Sequence, residues 1–79
     1  MKYFVYVLES VKDKALYIGQ TRDLDGRIAE HNAGKVFSTK GRIPFVLKFY
    51  EQFSSRRDAV NRERFLKSGC GREFVKSRF

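Results

Sequence analysis

Hydrophobic and polar positions along the chain fall into blocks of different period. Residues 3–8 are an unbroken run of β-branched, aromatic and leucine side chains, the composition of a strand. Residues 11–14 carry charge and predict a turn, and residues 15–20 the returning strand of a hairpin. Asp23 can cap a helix running to about Asn32, where Ala33 and Gly34 end it. Residues 35–44 make a basic, glycine-containing loop. Beyond it Phe45, Leu47 and Phe49 alternate with Val46, Lys48 and Tyr50, predicting a third strand that continues to Phe53. Ser54 or Ser55 caps a second helix reaching Lys67 or Ser68, Gly69 and Gly71 break it, and residues 72–79 add a short terminal helix. The order β-β-α-β-α(-α) predicts a small α+β sandwich: a three-stranded, mainly antiparallel sheet flanked by helices, in one domain spanning residues 1–79.

Composition sharpens this picture. At 79 residues the core must be small, and 42% hydrophobic with 15% aromatic content marks a chain that folds. Seventeen Lys and Arg against nine acids leave a net charge of +8, which suits a polyanionic partner. An ordinary basic soluble protein is the plainer alternative. The longest apolar run, residues 3–8, is too short for a bilayer and is followed by no small-residue cleavage site, so neither a membrane span nor a secretion signal is expected. A single cysteine, Cys70, excludes an internal disulfide and a cysteine-built zinc site. A reducing, cytoplasmic setting follows.

Three places carry candidate chemistry. On the second helix, at 100° per residue, Ala59, Leu66 and Cys70 fall within about 20° of one line, Val60 extends that face, and Glu63 lies within about 40° of it. A carboxylate there either faces the core, paired or on a metal, or sits at the rim paired with Lys67 one turn on. On the first helix Leu24 and Ile28 define the buried stripe, with Arg27 and His31 one turn apart beside it. They could clamp a phosphate and accept a proton, or be two solvated residues at a helix edge. In the hairpin, a four-residue loop places Tyr6 and Tyr17 on one face of the sheet, as core residues or as chemistry. Gly19, with no side chain to pack, suggests close approach to the strand backbone.

Phe4, Val5 and Tyr6, then ten residues, then Tyr17, Ile18 and Gly19 resemble the two-part signature of the GIY-YIG nucleases. Arg27, His31 with Asn32, Ala33 and Gly34 after it, and Glu63 on the next long helix follow the order and approximate spacing of that family. The likeness spans residues 3–70 and is nearest to short stand-alone bacterial members, related to the nuclease domain of the excision-repair incision subunit. Phe4 stands where the first motif has glycine. Phe74, Val75 and Lys76 occupy the neighbourhood in which many members carry an asparagine.

The resemblance implies a divalent-metal-dependent endonuclease acting on DNA in repair or processing. Glu63 would hold one Mg²⁺ or Mn²⁺, and Tyr6 would be the general base or water-positioning group. His31 would take its proton, Tyr17 would orient the water or phosphate, and Arg27 would neutralise charge on it. The ordinary tyrosine pKa of about 10 does not suit a base, so neighbouring cations would have to lower it. The products would be a 5′-phosphate and a 3′-hydroxyl. Arg22, Lys35, Lys40 and Arg42 are expected on the DNA backbone, with little sequence specificity, although a solvated basic loop has the same composition. No small-molecule cofactor is expected, and a homodimer or protein partner is left open. The alternative is a nucleic-acid-binding module of the same fold with weak or absent catalysis.

Overall fold

The computed structural model describes residues 1–78. The elements run β1 (Tyr3–Ser10), β2 (Leu16–Thr21), α1 (Leu24–Asn32), a 3₁₀ turn (Lys40–Arg42), β3 (Phe45–Phe53), α2 (Arg56–Lys67) and α3 (Gly69–Arg78). Phe79, expected to close the last helix, lies outside the described residues. The sheet is antiparallel in the order β2-β1-β3, so the most apolar strand is central and buried on both faces. Val5, Val7 and Ile18 pack against Ala59 and Leu66 of α2 and Val75 of α3. On the opposite face Tyr6, Leu8 and Phe45 pack under Leu24 and Ile28 of α1. The helices therefore form two layers with the sheet between them. Among the described residues no helix is long and apolar enough to cross a membrane.

The helix starts follow from short polar side chains. The Asp23 carboxylate accepts from the Gly26 N–H at 3.1 Å, and the Ser55 hydroxyl accepts from the Asp58 N–H at 3.1 Å. Asn32 at the end of α1 clamps β3: its Oδ1 accepts from the Phe45 N–H at 2.7 Å and its Nδ2 donates to the Phe45 carbonyl at 3.1 Å.

Three expectations need correction. First, the alternation in β3 does not hold one face throughout. Val7 pairs with Phe49 but Leu8 with Leu47, leaving Lys48 as an extra residue. Such a bulge inverts the side-chain alternation beyond it. Phe45 packs beneath α1, whereas Phe49 joins Val5 and Val7 on the α2 face, and Leu47 is exposed. Second, Gly69 and Gly71 do not lie in a break. The chain turns at Ser68, which is extended, and α3 starts at Gly69. The Ser68 hydroxyl accepts from the Gly71 N–H at 3.2 Å, and Gly71 sits where any Cβ would strike the Phe65 carbonyl. Third, Cys70 is exposed in the first turn of α3. The periodicity of α2 cannot be extended past its end at Lys67.

Candidate active site

Tyr6 is the largest side chain completely enclosed in the fold, 1% exposed, on the face of β1 beneath α1. Its ring lies over the backbone of the neighbouring strand at Gly19, its partner in the β1–β2 register. A Cβ on Gly19 would stand 2.6 Å from the Tyr6 hydroxyl and 3.2 Å from Tyr17 Cε2. Glycine is thus required by space, not by backbone conformation. Tyr17 shares the face, its ring centroid 6.3 Å from that of Tyr6.

His31 reaches the same place from the last turn of α1. It is 0% exposed, with Nε2 3.0 Å from the Tyr6 hydroxyl and Nδ1 2.8 Å from the Thr39 hydroxyl. The ring also meets Tyr17 edge-on at 4.8 Å between centroids. Thr39 lies 3.4 Å from the Val36 carbonyl, to which its own proton can be donated. Its oxygen is then free to accept from Nδ1–H, which leaves the Nε2 lone pair for the Tyr6 O–H; this tautomer is assigned from the network. Arg27 stands one turn earlier on α1, with its guanidinium beside the Tyr6 hydroxyl and Nη1 3.3 Å from Glu30 Oε1.

The electrostatics differ from the expectation at Tyr6. Burial pushes the phenol above its ordinary pKa and outweighs the downward pull of the Arg27 hydrogen bond; Tyr17 and Glu63 add to the rise. At neutral pH Tyr6 is a phenol, not a phenolate. Burial, and then the Arg27 charge, push His31 below the ordinary histidine value, with Glu30 opposing. His31 is a neutral imidazole at pH 7.

Glu63 approaches from α2, around the outer strand β2. Its side chain is 17% exposed, and both open alternatives for it are partly realised. Oε1 accepts from Gln20 Nε2 at 3.0 Å, while Oε2 is paired with Lys67 Nζ at 2.7 Å. Among the described residues no group of three or more His, Cys, Asp or Glu side chains could enclose a metal. A lone carboxylate still fits a hard divalent cation that keeps most of its waters and takes phosphate oxygen. Lys67 Nζ lies against Oε2, and its side chain is half exposed.

The remaining basic residues divide. Arg22, Lys35 and Lys40 are exposed, with Arg22 over the Tyr3 ring at 5.9 Å and Lys40 over the Phe37 ring at 4.9 Å. Arg42 is not the free loop cation expected. It is drawn inward, ion-paired with Asp13 at 3.4 Å and stacked 5.8 Å from the Phe45 ring centroid. Two residues of the site were not anticipated. Gln20 lies two residues beyond Ile18 and so shares its α2 face, which strand alternation made legible; Thr39 has no periodic signal in its loop.

This geometry meets its relatives in three comparisons. A family model described as the GIY-YIG catalytic domain matches residues 2–73. A UPF0213 protein of Staphylococcus haemolyticus is 46% identical over 68 residues, 85% of this chain and 82% of its own length. A UPF0213 protein of Streptococcus pyogenes serotype M3 is 48% identical over 67 residues, 84% of this chain and 72% of its own. The solution NMR structure of a UPF0213 protein from Bacillus halodurans superposes with a TM-score of 0.61 at 39% identity, covering 98% of this chain and 84% of that one. With the family pattern running over nearly its whole length and its two signature tyrosines side by side under α1, the chain belongs to the GIY-YIG family.

Proposed function

We propose that the protein is a divalent-metal-dependent endonuclease that hydrolyses DNA phosphodiester bonds in repair or processing, with little sequence specificity. The observation that carries this reading is the buried Tyr6–His31–Thr39 hydrogen-bonded line, closed by Arg27. Packing alone asks for one partner at a buried tyrosine hydroxyl; Tyr6 has two, the His31 imidazole and the Arg27 guanidinium, and the imidazole is itself held by Thr39.

The line gives a protonated tyrosine the means to act as a base. Tyr6 already donates its proton towards His31 Nε2, and once the Arg27 guanidinium that now donates to the hydroxyl swings to the phosphate, the Tyr6 oxygen can receive a proton from an attacking water. As the water oxygen bonds to phosphorus, its proton passes to Tyr6 and the Tyr6 proton passes to His31, which becomes imidazolium. No phenolate is formed, so the raised Tyr6 pKa is no obstacle. Thr39 holds the tautomer that makes His31 an acceptor. Tyr17 lines the approach, and Arg27 can neutralise charge on the equatorial phosphate oxygens. Glu63 would hold Mg²⁺ or Mn²⁺, with Gln20 positioning its carboxylate in the absence of the downstream asparagine. Such a cation supplies charge neutralisation at the phosphate and at the departing oxygen. The P–O3′ bond breaks as the water oxygen bonds to phosphorus, and the departing 3′ oxygen takes a proton from solvent, which leaves a 5′-phosphate and a 3′-hydroxyl.

One observation favours the alternative, a DNA-binding module without catalysis: Glu63 is already paired with Lys67. Supercoiled plasmid separates the two readings. Nicking that requires Mg²⁺ or Mn²⁺ and stops with chelator is the expected result; binding without any nicking would establish the module.

A further inference from the structure

A cleft of about 600 Å³ runs along the outer edge of β2, bounded by the hairpin on one side and α3 on the other. Five cations line it, Lys14, Arg42, Lys67, Arg72 and Lys76, and none of its lining residues is acidic. It is continuous with the candidate active site through Tyr17, and through Lys67, which touches Glu63. At Arg42 it meets the end of the basic loop. Of these cations only Arg42 and Lys67 have an acidic partner in an ion pair among the described residues, Asp13 and Glu63. Arg42 Nη2 is buried without a hydrogen-bond partner, while Nε of the same guanidinium faces Asp13 Oδ2 at 3.4 Å; an anion in the cleft would give Nη2 the partner it lacks.

Like charges gathered on facing elements repel one another across a concave surface, where the field is concentrated. Nothing in the packing explains that arrangement: Lys14, Arg72 and Lys76 are exposed. A polyanion relieves the repulsion, and one that also enters the active site must present a phosphate there. We infer that the β2-edge cleft is a second phosphate-binding track, in which Lys14, Arg72 and Lys76 hold the DNA backbone beyond the phosphate at Tyr6 and Glu63. The inference rests on the nuclease reading for the identity of the strand. It deepens that reading, because the bound backbone then extends beyond the reacting phosphate into a track the basic loop does not supply.

The test is equilibrium binding of the full chain to a fluorescein-labelled DNA duplex without divalent metal, read by anisotropy over a salt series. The triple variant Lys14→Gln, Arg72→Gln, Lys76→Gln is compared with Lys2→Gln, Arg57→Gln, Arg64→Gln, which removes equal charge outside the cleft. Each lost phosphate contact should flatten the log–log salt dependence by about 0.9, so the cleft variant should lose roughly 2 to 3 in slope and the control under about 1. Equal slopes for the two variants, or a cleft variant that matches the unmodified chain, would overturn the proposal. The same result on an RNA duplex with no effect on DNA would also overturn it. Plasmid nicking is measured in parallel. A protein that shows the slope change but never cuts refutes the nuclease and leaves the track, whereas one that cuts with unchanged slope does the reverse.

Discussion

Gly19→Ala probes the site without touching a functional group. The new methyl would lie 2.6 Å from the Tyr6 hydroxyl and 2.8 Å from its Cζ, where ordinary contact begins at 3.4 Å. The ring must therefore retreat by the difference, 3.4 − 2.6 = 0.8 Å at the oxygen. Tyr6 is enclosed, so the movement is resisted, and overpacking of this kind costs about 1–3 kcal/mol. Replacing glycine also restricts the unfolded chain, which returns about 0.4–1 kcal/mol. The net loss of stability is then roughly 0–2.5 kcal/mol, too wide a range to decide anything alone. The rate decides. A 0.8 Å displacement of the hydroxyl breaks its alignment with His31 Nε2, now 3.0 Å away, and misplacement of about 1 Å costs on the order of 10²-fold. Single-turnover nicking in Mg²⁺, with urea unfolding on the same sample, should show a folded protein slowed by about that factor. A folded Gly19→Ala protein cutting within twofold of the unmodified rate would refute the role given to the Tyr6–His31 alignment.

Other substitutions bear on the same line of groups. His31 is the only histidine, and its pKa is lowered in the fold, so on acidification the unfolded chain takes its proton first. Its contribution is present above the unfolded value of about 6.5 and is lost as pH falls below it, by up to about 1.4 kcal/mol per pH unit. Urea midpoints between pH 7 and 5 should fall in the unmodified protein and stay flatter in His31→Gln. Thr39→Val leaves the buried Nδ1–H unpaired and should cost about 1–3 kcal/mol in urea unfolding together with a slower cutting rate; a stability loss with full activity would show that the tautomer is fixed elsewhere. Glu63→Gln should reduce nicking to background while changing stability by less than about 1 kcal/mol, because its Lys67 partner is half exposed. Lys67→Met should lower the Mg²⁺ concentration giving half-maximal rate, since the ammonium no longer competes for Oε2; an unchanged metal titration would place the cation elsewhere.

Much of the fold was legible because its signals are local. The β-branched run of β1, the capping Asp23 and Ser55, and the order of elements all follow from neighbours in sequence. The bulge at Lys48 was not, because strand alternation carries no mark of an extra residue until a partner strand fixes the register. The start of α3 was misplaced for a similar reason: Gly71 reads as a breaker, yet it is needed where the helix meets the Phe65 carbonyl. In the site, hairpin parity put Tyr6 and Tyr17 on one face, and the four-residue spacing put Arg27 and His31 one turn apart. Depth was beyond reach. Whether His31 lies at a helix edge or is enclosed depends on Thr39 folding over it from the loop, a contact eight positions away with no period behind it. The direction of the Tyr6 pKa was not legible either, because the requirement that cations lower it says nothing of burial, which is the larger effect and raises it.

Tyr6→Phe tests the central claim most directly, since it removes one buried oxygen and nothing else from the site. The ring still fills its place against Gly19, and DNA affinity without metal should be unchanged. Single-turnover nicking of supercoiled plasmid in Mg²⁺ should fall by about 10²- to 10⁴-fold, the range for loss of a positioned base. A folded Tyr6→Phe protein that nicks at the rate of the unmodified chain would contradict the Tyr6–His31 mechanism.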